Sequence, residues 1–145
     1  MDRDEVVDWL KQYHDIIREI RELDEDAAYL RTRLYSASKP SLDGLPRSNY
    51  NADRTASQVA KLADMDIEIT RLLDDLYRRR QEIEKAIDSL GGDERRIVRL
   101  RYIACRADGR GYTWWEIGEQ AGYTDRQCQR LHRQAVEKMS HYVAV

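Results

Sequence analysis

Phenylalanine is absent from this chain of 145 residues, and proline occurs only twice. Both scarcities suit long helices better than sheets. Cysteine is as rare as proline, and two residues, Cys105 and Cys128, are too few for a disulfide framework. No CxxC or HExxH spacing occurs. No apolar run is long enough to span a bilayer, and the charged opening residues hold no signal-peptide core. A soluble, cytoplasmic protein that avoids the membrane is expected. Nucleophile–base pairs, phosphate-cradling loops and metal-ligand sets are also missing, so no catalytic residue, metal or cofactor is assigned and an enzyme is the least expected class.

What the chain has instead is charge and helical rhythm. Charged residues make up 36%, and the mean hydropathy of −0.80 puts much of the chain in water. The net charge of −2 looks wrong for a nucleic-acid binder until it is divided. Residues 1–92 hold 15 Lys and Arg against 20 Asp and Glu, and residues 93–145 hold 10 against 7, giving −5 and +3. The basic excess lies in the C-terminal third, where attraction to phosphate would need it. The length fits one domain, or one small domain with an extended appendage.

From residue 4 to 34 the apolar positions keep a heptad rhythm: Val6, Trp9, Tyr13, Ile16, Ile20, Leu23, Ala27, Leu30 and Leu34. Such a narrow seam marks a helix that packs lengthwise on another. Residues 36–53 break the pattern with Pro40, Gly44 and Pro46, and predict a long loop. A second long helix is expected from about residue 54 to 90. Its seam is taken as Val59, Leu62, Asp66, Ile69, Leu73, Leu76, Arg80, Ile83, Ile87 and Leu90, with Asp66 and Arg80 as polar breaks. The run Arg78-Arg79-Arg80 reads as a solvated face before a DNA contact. Two such helices predict an antiparallel hairpin, coiled-coil-like, over 1–92. The uninterrupted first seam offers a surface for dimerisation.

Gly91-Gly92 ends the second helix and Asp93 is placed as the next N-cap. Ile97, Leu100, Ile103 and Ala104 form a stripe on a third helix. Residues 113–139 then hold two short helices joined by a tight turn. Thr113 caps the first, with Glu116 completing a capping box. Gly122 can end it in the left-handed conformation. Thr124 caps the second helix, whose inner face is Cys128, Leu131, Ala135 and Met139. Gly118 lies inside a helix at a cost of ~1 kcal/mol against Ala, so a close crossing of another helix is expected there. Cys128 and His132, one turn apart, could share a metal, but a small buried hydrophobe is the favoured reading of Cys128. These features describe a DNA-binding helix-turn-helix over 93–145.

Over 113–139 the chain resembles region four of bacterial sigma factors, through Thr113, Glu116-Ile117-Gly118, Thr124, Leu131, Ala135 and Lys138. As a whole it is similar to small phage-encoded transcription regulators of the ArpU and RinA kind, which place a helical segment before a sigma-like ending that opens with Arg101-Tyr102-Ile103. The resemblance implies an all-α fold and double-stranded DNA as partner. Carried over, base reading falls to Asp125, Arg126 and Arg130, with Gln127, Gln129 and Arg133 nearer phosphate. Thr113 and Thr124 offer groups to phosphates at the helix starts. Two departures are plain. Asp125 and Arg126 stand where housekeeping sigma factors carry Arg and Glu, so the fold should be shared and the operator should not. The segment 106–112 is longer than the usual connection, and Trp115 replaces a surface acid; it either packs on that segment or marks a protein contact.

A homodimer is expected, since one module makes few base contacts, and RNA polymerase is a candidate second partner. No promoter-melting region is present, which argues for a regulator rather than a complete sigma factor. Two alternatives stay open: a phage terminase small subunit, and a helical interaction protein that binds polymerase or another regulator.

Overall fold

The computed structural model describes residues 1–38, 49–106 and 109–143, and among them there is no strand. Five α-helices follow in order: α1 (Arg3–Ser38), α2 (Asn49–Ile87), α3 (Gly92–Val98), α4 (Trp114–Ala121) and α5 (Asp125–Val143). A single π-helical turn, Arg99–Ile103, continues α3. The expected loop 36–53 is helical at both of its ends. Residues 36–38 and 49–53 are helical, and 39–48 lie outside the described residues.

The chain forms two compact units: Met1–Arg18 with Asp75–Val145, and Glu19–Asp74. These units cut across the expected division at residue 92. The physical reason is a shared core. In the larger unit Val6, Leu10 and Tyr13 of α1 meet Ile83, Ala86 and Ile87 of α2, and the same cluster takes in Val98 and Tyr102 and then Ala135, Val136 and Met139 of α5. The start of α1 therefore lies beside the end of α2, the antiparallel arrangement of a hairpin. In the smaller unit Ala27, Leu30 and Leu72 are buried, and Arg31 pairs with Asp66 at 2.9 Å.

The α1 seam lies on the inner side of that helix, where Val7, Leu10 and Ile17 also pack into the core. Val6, Tyr13, Ala27 and Leu30 of the seam are buried, and Trp9, Ile16, Ile20, Leu23 and Leu34 are half-buried. The α2 seam corrects the sequence reading. Leu72 is 4% exposed while Leu73 is 49% exposed, and Val59 and Asp66 also face outward. The inward row is Leu62, Met65, Ile69, Leu72, Leu76, Arg79 and Ile83. It keeps steps of three and four like the expected row, but enters the cycle one position earlier at alternate turns. Asp66 is consequently no break in the core, and the polar member of the inner row is Arg79, paired with Glu82 at 3.8 Å.

α3 starts one residue before its expected cap. Gly91 holds the N-cap position without a side-chain bond, and Asp93 instead accepts the Tyr123 hydroxyl. Both sides of this short helix are buried. Ile97 enters a second cluster with Ile117 and Cys128, supported by Leu100, Tyr112 and Leu131. Val98, Tyr102 and Ile103 face the hairpin cluster instead. The π turn, closed by Ala104 N–H donating to Arg99 C=O at 2.8 Å, adds a residue to the turn and helps aim Tyr102 into that cluster. The single stripe expected on this helix is thus divided between two cores, and Ala104 lies beyond its end.

Candidate nucleic-acid interface

Thr113 caps α4 as its sequence predicts. Its hydroxyl accepts from Glu116 N–H at 3.3 Å and donates to a Glu116 carboxylate oxygen at 3.0 Å. Arg106 holds the same carboxylate at 3.2 Å. At the far end Gly122 is left-handed, with φ 78, and its N–H and that of Tyr123 both donate to Gly118 C=O. Gly118 itself differs from expectation. A Cβ there would lie 2.6 Å from the Tyr123 carbonyl oxygen. The close neighbour is the backbone of the tight turn, not a crossing helix.

Thr124 opens α5 with a complete capping box. Its hydroxyl accepts from Gln127 N–H at 3.2 Å, and its own N–H donates to Gln127 Oε1 at 3.0 Å. Gln127 therefore keeps only its NH₂ group as a donor toward a phosphate. Asp125 lies in the first turn, where an acid suits the helix dipole. Its Oδ1 is 3.7 Å from the Cβ position of Gly118, so it leans back over the turn.

Arg126, Gln129, Arg130 and Arg133 form one stripe on the outer face of α5. All four are exposed, opposite the buried Cys128, Ala135 and Met139. The three arginines join Thr124 and Gln127 along a shallow concavity. The structure thus gathers six of the eight site residues, Thr124, Arg126, Gln127, Gln129, Arg130 and Arg133, at one helix face. Asp125 adjoins it, and Thr113 sits at the start of α4.

Behind the stripe lies a polar network that residue spacing did not reveal. Tyr102 OH and His132 Nε2 share a hydrogen bond at 2.5 Å, and the Trp114 ring meets His132 edge-on at 4.9 Å. Burial chiefly, with the Arg101 charge added, pushes His132 down to about 4, and burial pushes Tyr102 up to about 12. Both directions favour a neutral imidazole bonded to a neutral phenol. Arg101 stacks on Trp114 at 4.5 Å and donates to Tyr112 C=O at 2.8 Å. With Nε2 engaged by Tyr102 and Cys128 buried, these two do not form a metal pair, and no metal-binding cluster of three His, Cys, Asp or Glu exists among the described residues.

Two further ties hold the module. Arg96 donates to Gln120 C=O at 2.8 Å, satisfying an end carbonyl of α4. Lys138 contacts both oxygens of the nearly buried Glu94 at 2.9 Å. Trp115 is 64% exposed. Arg78 pairs with Asp75 at 3.6 Å, so that basic run is a paired helix surface.

Two short helices, a left-handed glycine turn and an outward arginine stripe are therefore in place. Residues 86–141 match the family described as Sigma-70, region 4. This part of the chain is similar to sigma region four, and its geometry is that of a helix-turn-helix. The match opens within the last turn of α2, where Ala86 and Ile87, with Leu90 just beyond, join the core shared with α5. No curated protein and no solved structure matches the chain. No described helix is long and apolar enough to cross a membrane.

Proposed function

We propose that the chain is a sequence-specific transcription regulator, encoded by a phage or prophage, that reads the major groove with the first two turns of α5. The observation that carries this reading is the stripe Arg126, Arg130 and Arg133, exposed and without an intramolecular partner among the described residues. Arginines left unpaired at the start of a capped helix suit guanine O6 and N7, where one bidentate contact gives ~1–3 kcal/mol of discrimination. Gln129 and the Gln127 amide lie where phosphates flank the groove, as do the starts of α4 and α5.

The reading includes a homodimer on two half-sites, because a single module makes few base contacts. RNA polymerase is the further partner suggested by the domain's likeness to sigma factors. With part of the α1 seam buried within the chain, a second copy would also use exposed apolar side chains. Tyr29, Tyr35, Val59, Ile67 and Leu73 are the large exposed ones in the smaller unit.

The test is selection of bound fragments from the source genome, followed by affinity measurements on the recovered site. Arg126→Ala or Arg130→Ala should each weaken binding about tenfold, relax preference at one base step and leave the melting temperature unchanged. Wild-type affinity in both variants would refute groove reading by α5. Sedimentation at micromolar concentration should give about twice the 17.1 kDa chain mass. A monomer there removes the half-site argument, and a ring of many subunits favours a DNA-packaging role.

A further inference from the structure

The hairpin contributes to the same face of the larger unit as the start of α4. A notch there is lined by Lys11 and His14 of α1, Arg101 of the π turn, and Gly111, Tyr112 and Thr113 leading into α4. Gly111 lies against His14, since a Cβ on it would approach the imidazole to 3.1 Å. That contact fastens the entry of α4 onto α1. Burial lowers the His14 pKa below 6.5, so at neutral pH the charge lining the notch is that of Lys11 and Arg101. Arg101 is held by Tyr112 and Trp114. Lys11 is exposed and has no partner among the described residues. The acid nearest Thr113 is Glu116, itself paired with Arg106.

We propose that this notch takes a backbone phosphate of the bound duplex, with Lys11 as a DNA contact supplied by the N-terminal helix, outside the region-four-like domain. The inference rests on the functional reading above, because Thr113 belongs to both the notch and the helix start set against phosphate. It assigns the long helix a share in DNA binding besides its share in the core. A lysine on a phosphate adds affinity without sequence preference and releases about one counterion.

The experiment measures binding of the full-length chain to a random duplex and to its selected site across a salt series. Lys11→Gln keeps helix propensity and removes one exposed charge. The slope of log affinity against log salt should fall by about 0.9, with the same proportional loss on both duplexes. Lys61→Gln, an exposed lysine of α2 in the smaller unit, is the control and should leave the slope unchanged. An unchanged slope in Lys11→Gln overturns the inference, and so does an equal fall in Lys61→Gln, which would indicate only a general field. If the wild-type chain binds no duplex, the functional reading fails and this one falls with it. If wild type binds and Arg126→Ala weakens it while Lys11→Gln does not, only the notch is refuted.

Discussion

Gly118 shows how one missing Cβ shapes the helix-turn-helix. Its carbonyl takes two N–H groups from the turn, and its α-carbon lies where the Tyr123 carbonyl passes. Elsewhere on an exposed helix, Gly→Ala would stabilise by ~1 kcal/mol. Here the clash is with backbone, which cannot rotate aside. Gly118→Ala should therefore lower stability by a net ~1–3 kcal/mol, seen as a reduced denaturation midpoint. A rise in the midpoint would show that the turn has room. The glycine itself stood out in the sequence because it interrupts a helix. The neighbour that requires it did not, because a crossing helix and a returning turn leave the same mark on residue type.

At the scale of the element, α2 is the instructive case. Leu62, Ile69, Leu76 and Ile83 belong to both candidate inner rows, which differ in Met65 against Asp66, Leu72 against Leu73 and Arg79 against Arg80. A helix of 3.6 residues per turn accommodates either member of each adjacent pair. The partner helix decides, and the Leu72 side is the buried one. Leu72→Ala should cost ~2–4 kcal/mol, whereas Leu73→Ala should stay within about 1 kcal/mol. Chemical denaturation of the two variants checks this, and equal losses would contradict the observed row. α1 held a like ambiguity at Val6-Val7, Trp9-Leu10 and Ile16-Ile17, and Val7, Leu10 and Ile17 pack into the core beside the expected row.

At the scale of the whole molecule, stability is tied to pH through His132. In the folded chain its pKa is pushed down to about 4, against an ordinary 6.5. Between those values the unfolded chain binds a proton that the folded chain refuses. Stability is therefore full above pH 6.5 and falls as pH drops toward 4. Allowing for the partial exposure of the ring, the loss is ~1–2 kcal/mol. His14, also lowered by burial, acts in the same direction. Thermal unfolding from pH 7 to 4 should show a shallower decline in His132→Gln than in wild type. Identical profiles would mean that His132 is already exposed to protonation in the fold. Because Tyr102 also belongs to the core shared by α1, α2 and α5, loss of this bond should weaken the larger unit as a body.

The sequence alone determined the helical class, the two long helices, both threonine caps, the Gly122 turn and the outward arginines of α5. Each of these follows from short-range rules, in which a residue and its neighbours within four positions specify the local backbone and the face presented. The tertiary structure decided the α2 row, the division of α3 between two cores, and the compact unit that ignores residue 92. It also assembled the Tyr102–His132–Trp114 network and set Lys11 beside Thr113, pairings separated by 18 to 102 residues in the chain. The reason is that spacing along one helix records which side is apolar. It does not record which distant helix will cover that side, nor which polar groups the covering brings together.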